Sequence, residues 1–256
     1  MSYEQGFEIL VIGDWKNPRN PDLVKILRSS GIPYGFVDPI FVDEETAHFF
    51  PGQKLNRALY GRRLLQGEIG CALAHRIARQ RITQKWALIL EDDAVISQDS
   101  IRSLPAYFSA LGHQNPIIIS LFNGVETNLS RNSVRRIRHM PSSTLAYVAT
   151  SAVQALESDH SRQIGTADWP LDLASARFYA LWGLGVHEYD SKSLVDSDGL
   201  RLGNRAYYLR ALSLIPIFLF KYGWAFVYFS VISPLTRDLG NRIRRTFDAG
   251  RTLRSN

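Results

Sequence analysis

The chain of 256 residues contains a single cysteine, Cys71, and lacks internal repeats and low-complexity segments. One cysteine excludes an internal disulfide, which agrees with a reducing compartment. Residues Met1–Gly6 lack a basic stretch followed by an apolar one, so no signal peptide is predicted. The hydrophobic content of 45% and the aromatic content of 11% exclude a disordered chain. We therefore expect a packed domain in the cytoplasm.

The positive charge of the chain lies in its C-terminal part. Residues 201–256 hold ten Lys/Arg and two Asp/Glu, so their net charge of +8 exceeds the +6 of the whole chain. The rest of the chain is slightly acidic, which argues against a body that binds nucleic acid. A basic tail is better suited to an anionic surface.

The segment 211–235 is dense in aromatic and aliphatic residues and is followed by arginines. It is long enough to cross a bilayer, which takes roughly 20 apolar residues. Pro216 and Lys221 interrupt it, which favours an anchor that lies in the interface. An aromatic helix packed on the core, or a dimer contact, is the alternative. We expect residues 206–256 to associate with the inner face of the cytoplasmic membrane, in a peripheral or monotopic manner.

The first 40 residues predict a β-α-β unit. Residues 7–12 form an apolar strand, Pro21–Ser30 a short helix that ends at Gly31, and Tyr34–Val37 a second strand. A β-α-β unit favours a parallel sheet and an α/β fold.

Further elements follow along the chain. Residues 41–66 are interpreted as a partly basic loop and residues 67–84 as a helix, and the apolar run 86–90 predicts a buried strand. The segment 151–158 is predicted to be a short helix. Proline near a first helical turn predicts a last helix over 168–182.

Three adjacent carboxylates, Glu91-Asp92-Asp93, follow the strand 86–90 and are the most informative feature of the chain. Such a cluster repels itself, and burying it is costly without a cation. Mg²⁺ or Mn²⁺ takes oxygen ligands and also binds substrate phosphates. Ligands bind at the carboxyl ends of strands in open α/β sheets, so the pattern predicts a metal–phosphate site there. A solvated acidic turn is the alternative.

Alternation along an extended chain points Glu91 and Asp93 to one side and Asp92 to the other. We therefore assign Glu91 and Asp93 to the metal and expect Asp92 to be a catalytic residue that contacts the substrate or a neighbouring loop. The pattern leaves open which of the three carboxylates binds the metal.

The chain resembles glycosyltransferase family 25, which includes bacterial lipooligosaccharide galactosyltransferases. The block GEIGCALAH at 67–75 and the block ALILEDDA at 87–94 match that family in order and spacing. The block STLAYVAT at 143–150 is similar to the family's G-T-x-A-Y-x-I-S strand, and Asp168 lies where the family has an aspartate that opens a helix. The resemblance covers residues 7–190.

The resemblance implies a GT-A fold over residues 1–205: a Rossmann-like mixed sheet flanked by helices. It implies a nucleotide-sugar donor whose diphosphate is held by Mn²⁺ or Mg²⁺ on the carboxylate motif. An inverting transfer of a hexose, with UDP-galactose as the expected donor, follows from it. The tail at 206–256 favours a lipid-linked saccharide acceptor, as in lipopolysaccharide or polysaccharide biosynthesis.

The general base of an inverting transfer is expected to be Asp168, since an aspartate at a helix start stays ionised. An ordinary N-cap is the alternative role for Asp168, and Asp172 is the alternative base.

The remaining site residues are assigned to the donor or to the metal. His187 is a candidate to complete the metal shell. Five residues are expected to bind or surround the donor: Arg19, Glu68, His75, Asn123 and Thr144. Three of them have a structural alternative: Glu68 as a helix cap, His75 as a packed helix histidine and Arg19 as a solvated arginine. A metal-dependent phosphohydrolase and a catalytically silent homologue that only binds a nucleotide-sugar are the rival functions.

Overall fold

The structure of the protein is a computed structural model. It describes residues 6–16, 18–60, 63–108, 110–121, 133–137, 141, 143–157, 169, 173, 175–181, 183–189, 212–216 and 219–220. In these residues the helices are α1 (Leu23–Ser30), α2 (Glu44–Phe49), α3 (Gln53–Tyr60), α4 (Gln66–Gln80), α5 (Gln98–Phe108) and a 3₁₀ helix (Ser151–Leu156). The strands are β1 (Phe7–Ile12), β2 (Tyr34–Val37), β3 (Trp86–Glu91), β4 (Ala94–Val95), β5 (Ile117–Ser120), β6 (Val134–Arg136), β7 (Ala146–Thr150), β8 (Arg177–Leu181) and β9 (His187–Glu188).

Seven of these strands form one mixed sheet in the order β2-β1-β3-β7-β5-β8-β6. Strand β1 pairs in parallel with both β2 and β3, and β5 pairs in parallel with β8. Strands β7 and β6 run against their neighbours. The α/β class with a mixed sheet flanked by helices is therefore confirmed. Strands β4 and β9 form a small antiparallel pair of their own.

The core has one apolar layer on each face of the sheet. Residues that alternate along β1 and β3 point to opposite faces, as the pleat requires. Ile9, Val11 and Leu88 pack with α1 and α5, whereas Leu10 and Ile89 belong to the layer that contains residues of α4. Both faces of the central strands are thus buried, which explains their continuous apolar sequence.

Helix α4 is seated closely against the segment that follows β2. A Cβ atom on Gly70 would lie 2.1 Å from the backbone carbonyl oxygen of Ile40. Only glycine permits this approach without moving the backbone. The contact sets how α4 lies beside residues 40–42.

The sequence-based predictions were right for the β-α-β unit, for β3 and for α4. The helix predicted over 168–182 is wrong at its end, because residues 177–181 form strand β8 in parallel with β5. The predicted loop at 41–66 contains α2 and α3. The helix predicted over 151–158 is a six-residue 3₁₀ helix.

Little of the hydrophobic C-terminal segment belongs to the described residues. Within 212–216 and 219–220, Phe220 is almost fully exposed, and Leu212 and Leu219 are also exposed. No helix in the described part of the chain is long and apolar enough to cross a membrane. The membrane association of 206–256 stays a prediction, as does the division of the chain at residue 205.

The Gly70–Ile40 contact generates a stability prediction. The variant Gly70→Ala should lower the free energy of unfolding by about 1–3 kcal/mol, because the added methyl group collides with backbone. The measurement is the midpoint of urea unfolding. Gly112→Ala is the matched control, since a Cβ on Gly112 meets nothing within 4 Å. Equal midpoints for the two variants would contradict the prediction.

Candidate active site

The acidic cluster lies where the carboxyl ends of β1 and β3 meet. Glu91 is in register with Ile12, and the backbone N–H of Asp92 donates to the Ile12 carbonyl at 3.0 Å. Gly13 follows with φ of 155°. A Cβ on Gly13 would lie 2.3 Å from the Cβ of Asp92. Glycine is thus required for the turn of the acidic cluster to pack against the end of β1.

One guanidinium group, that of Arg19, contacts all three acids. Its Nε donates to Asp92 Oδ1 at 2.7 Å, its Nη1 lies 2.7 Å from Asp93 Oδ2, and its Nη2 lies 3.9 Å from Glu91 Oε2. The neighbouring Asn20 holds the loop in place, because its backbone N–H donates to the Asp92 carbonyl at 2.8 Å. The expected alternation of the three side chains is therefore wrong: the strand ends at Glu91, and a turn brings Asp92 and Asp93 round to the same cation.

Glu91 is fixed by two further side chains. Its Oε1 accepts a hydrogen bond from Thr144 Oγ1 at 2.9 Å and lies 3.3 Å from His75 Nε2. Burial favours the neutral acid, but the contacts with His75 and Thr144 and the charge of Arg19 hold the pKa of Glu91 below its ordinary value. Glu91 is thus an ionised carboxylate. Its side chain is about a quarter exposed.

Asp93 is in the opposite electrostatic situation. Burial and the charges of Glu91 and Asp92 raise the pKa of Asp93 to about 6, against the opposing effect of Arg19. Its Oδ1 is buried and has no hydrogen-bond partner among the described residues. An orphaned buried carboxylate oxygen beside two other carboxylates fits a divalent cation, which would satisfy that oxygen and add positive charge. The residues present therefore fit the Mn²⁺ or Mg²⁺ that the sequence predicts.

A cavity of about 390 Å³ opens directly at the acids. This volume is in the range of small-molecule sites. One wall is a single face of α4, and the others are the segment after β1, residues 39–41 and the acidic cluster with Glu188. The lining residues are Ile12, Gly13, Asp14, Arg19, Pro39, Ile40, Phe41, Gly67, Gly70, Cys71, Ala74, His75, Glu91, Asp92, Asp93 and Glu188.

The structure brings most of the predicted site residues together. Arg19, His75 and the three acids line the cavity, and Thr144 is buried behind Glu91. Glu68 has a different place: its Oε2 accepts from the Leu65 backbone N–H at 2.8 Å, which caps the start of α4. The structural alternative for Glu68 is thus what its described contact supports.

His187 lies on β9 and is exposed, with Nδ1 2.9 Å from the Gly185 carbonyl. It is paired with Val95 next to the acidic cluster, but its neighbour Glu188, and not His187, is among the residues that line the cavity. Its role as a metal ligand stays a prediction. Asp168, Asp172 and Asn123 lie outside the described residues, and the roles predicted for them stay predictions as well.

Two residues behind the site were missed by the sequence reasoning. Tyr147 and Arg79 are fully buried and hydrogen-bonded to each other at 3.0 Å, and the Tyr147 hydroxyl lies 3.2 Å from His75 Nδ1. Arg79 follows His75 by four residues and so lies on the same face of α4. The sequence signal that could have identified Arg79 was its position four residues after His75, on a face of α4 that also carries Ala74 and Ala78.

A second potential ligand set is formed by Cys71, His75 and Glu91, whose ligand atoms lie within 4.8 Å of one another. Cys71 and His75 are four residues apart on α4 and both line the cavity. Burial lowers the pKa of His75, although the adjacent Glu91 opposes this effect. His75 is accordingly a neutral imidazole.

The pKa of Asp93 generates a pH prediction for the metal-free protein. Because this pKa is raised above the ordinary value of 3.8, ionised Asp93 destabilises the fold. The stability associated with its proton is present below about pH 4 and is lost as the pH rises through about 6. Asp93→Asn should therefore be more stable than the wild type at pH 8, by at most about 3 kcal/mol, and equally stable near pH 4.

The measurement is the free energy of unfolding in urea with EDTA at both pH values. Asp99→Asn, which alters an exposed carboxylate on α5, is the matched control and should follow the wild type. A variant Asp93→Asn that is less stable than the wild type at pH 8 would contradict the assignment.

The chain has similarity to solved structures and to a protein family. Three solved structures share 10–12% identity with this chain: A197 from STIV, S. aureus TarS residues 1–349 in complex with UDP-GlcNAc, and a glycosyltransferase involved in the glycosylation of the major capsid of PBCV-1. Their TM-scores are 0.43, 0.45 and 0.31. The alignments cover 72%, 84% and 59% of this chain, and 86%, 66% and 62% of those chains, respectively.

The chain thus spans slightly less than two thirds of the TarS fragment. No curated protein is a significant match. The profile described as glycosyltransferase family 25 (LPS biosynthesis protein) matches residues 16–177, which is more than half of the chain. This range includes Arg19, the three acids, α4 and β7, and it ends at Arg177, the first residue of β8. The protein belongs to glycosyltransferase family 25.

Proposed function

We propose that this glycosyltransferase has a GT-A fold, depends on a divalent metal and transfers a hexose with inversion from a UDP-sugar to a saccharide. UDP-galactose is the expected donor. The observation that carries the proposal is the convergence of three carboxylates on the guanidinium group of Arg19 at the mouth of a cavity of about 390 Å³. These carboxylates are Glu91, Asp92 and Asp93. Negative charge is concentrated at the place where a diphosphate would have to be bound.

A diphosphate cannot approach three carboxylates without additional positive charge. Arg19 supplies one positive charge, and its contacts with the acids already neutralise part of that charge. Mn²⁺ or Mg²⁺, when bound, would neutralise the charge that develops on the leaving diphosphate. Asp93, through its unpartnered Oδ1, and Glu91, through Oε2, are the residues that would hold it.

The chain's own residues have distinct parts in this proposal. Arg19 is about one third exposed and lines the cavity, where its guanidinium group can bind phosphate oxygens with the N–H groups that the acids leave unused. Asp92 orients Arg19 through the short bond to Nε. Asp168, or Asp172 in its place, is proposed to take the proton of the acceptor hydroxyl.

The metal assignment is tested by ligand-induced thermal stabilisation. A panel of UDP-sugars, GDP-sugars and free UDP is measured with Mn²⁺ and with EDTA. The donor should stabilise the wild type in the presence of Mn²⁺ but not in EDTA, by an amount that follows RT ln(1 + [L]/Kd). Asp93→Ala should abolish this stabilisation, because it removes the oxygen that the metal would satisfy. Asp99→Ala, in an exposed carboxylate away from the cavity, is the matched control.

Three outcomes would contradict the proposal in different ways. Donor binding that persists in EDTA and is lost in Arg19→Ala would assign the cationic role to Arg19 and remove the metal. Hydrolysis of the donor at a rate that does not respond to any saccharide would favour a phosphohydrolase. Binding without turnover over a broad panel of acceptors would favour a silent homologue.

The acceptor is proposed to be a glycan on a lipid carrier at the cytoplasmic membrane. The support is the tail at 206–256, which joins an aromatic segment to a net positive charge. Basic residues near anionic lipids contribute roughly 1 kcal/mol each, and aromatic side chains suit the interface. An enzyme held at that surface meets lipid-linked acceptors at high local concentration.

Deletion of residues 206–256 should release the protein from anionic vesicles, because both the basic and the aromatic residues are removed. The measurement is co-sedimentation with vesicles that contain phosphatidylglycerol, with neutral phosphatidylcholine vesicles as the control for charge. Donor-induced thermal stabilisation of the truncated chain shows that its fold is intact. Truncated protein that sediments as completely as the full chain would exclude the tail as the anchor.

A further inference from the structure

A chain of buried polar side chains crosses the layer between α4 and the sheet and ends at the active site. Arg79 is fully buried, and its charge is balanced by Glu157, whose Oε1 accepts from Nε at 2.9 Å and from Nη2 at 2.6 Å. Its third nitrogen, Nη1, donates to the Tyr147 hydroxyl at 3.0 Å. Tyr147 contacts His75 Nδ1, and His75 Nε2 contacts Glu91.

The direction of every bond in this chain is set by Arg79. A guanidinium group can only donate, so the Tyr147 oxygen accepts from it. Among the described residues, the other hydrogen-bond partner of that hydroxyl is His75 Nδ1. The oxygen has a second lone pair, but if it also accepted from His75, the buried O–H of Tyr147 would have no acceptor among the described residues. The Tyr147 O–H therefore donates to Nδ1, which is the unprotonated nitrogen of the ring. The ring proton of His75 is then on Nε2 and is donated to Glu91 Oε1.

This hydrogen-bond arrangement makes the two carboxylate oxygens of Glu91 inequivalent, because they have different partners. Oε1 accepts hydrogen bonds from both His75 Nε2 and Thr144 Oγ1, and these donors orient it away from Arg19. Oε2 is the oxygen that faces Arg19, at 3.9 Å. We propose that Arg79, Tyr147 and His75 are positioning residues that fix the tautomer of His75 and thereby present Glu91 Oε2, and not Oε1, to the metal–diphosphate.

This inference rests on the proposed function, in which Glu91 binds the metal, and it also limits the alternatives. A His75 ring that carries its proton on Nε2 offers no lone pair to a cation beside Cys71. The set of Cys71, His75 and Glu91 is then a hydrogen-bonded wall of the cavity, despite the short distances between its ligand atoms. Metal specificity would accordingly follow the oxygen ligands and favour Mn²⁺ or Mg²⁺ over thiophilic ions.

The tautomer is measured directly on the wild-type protein, without metal or donor. Two-dimensional ¹H–¹⁵N spectra of the protein labelled in its histidine rings distinguish a nitrogen that carries a proton from one that does not. The signals of His75 are those absent from His75→Gln. We expect a protonated Nε2 and an unprotonated Nδ1. A proton on Nδ1, alone or on both nitrogens, would overturn the proposal.

The positioning role is measured as Mn²⁺ affinity by titration calorimetry. Tyr147→Phe removes the hydroxyl that fixes the ring and should weaken Mn²⁺ binding by about 10–100-fold, the usual range for residues that orient metal ligands. Tyr179→Phe removes the same group from β8, away from the cavity, and is the matched control. Unchanged affinity in Tyr147→Phe would overturn the positioning role even if the tautomer is as stated.

A second pair of variants keeps the test valid if Tyr147→Phe does not fold. His75→Gln retains an N–H donor that can reach Glu91, whereas His75→Leu does not. Mn²⁺ affinity should be preserved in the former within a few-fold and fall in the latter by the same 10–100-fold. Equal losses would overturn the proposal. A wild type that does not bind Mn²⁺ at all would contradict the proposed function, while the ring spectra would still decide the hydrogen-bond chain.

Discussion

The charge balance between Arg19 and the three acids is the interaction on which the site depends. The acids lie at the end of a buried strand, where isolated negative charges are costly. The β1–α1 segment brings Arg19 to them, and its backbone is tied to the same turn through Asn20. Gly13 allows the two strand ends to meet. The turn, the loop and the cavity mouth are therefore one unit, and a change in its charge affects all three.

The parts of the fold that could be predicted are those with local signals. Continuous apolar runs identified β1 and β3, and glycine at 31 marked the end of α1. Strand β8 was missed because Pro170 favoured a helix, whereas pairing with β5 determines the structure at 177–181. Helices α2 and α3 are short and polar on much of their surface, so their sequence resembles a loop. Tertiary contacts outweigh local preference in these segments.

The same distinction applies to the site. The acidic cluster, Arg19, His75 and Thr144 were assigned to one place from motif and resemblance, and the structure puts them within a few ångströms of each other. The convergence of Asp92 and Asp93 on Arg19 was not predictable from strand alternation, because a turn begins after Glu91. Arg79 and Tyr147 were missed because their partners are 68 or more residues away in sequence. A fully buried arginine has no local pattern that reveals its acceptors.

Helix α4 connects the fold with the site. Gly67, Gly70, Cys71, Ala74 and His75 recur at helical spacing and form the cavity wall, and Arg79 continues that face into the core. A rotation of the helix by one residue would turn the wall away from the acids and remove Arg79 from Tyr147. The close approach of Gly70 to Ile40 fixes this rotation. Since the same register that builds the cavity also orients the groups behind Glu91, the donor pocket and the carboxylate motif cannot vary independently.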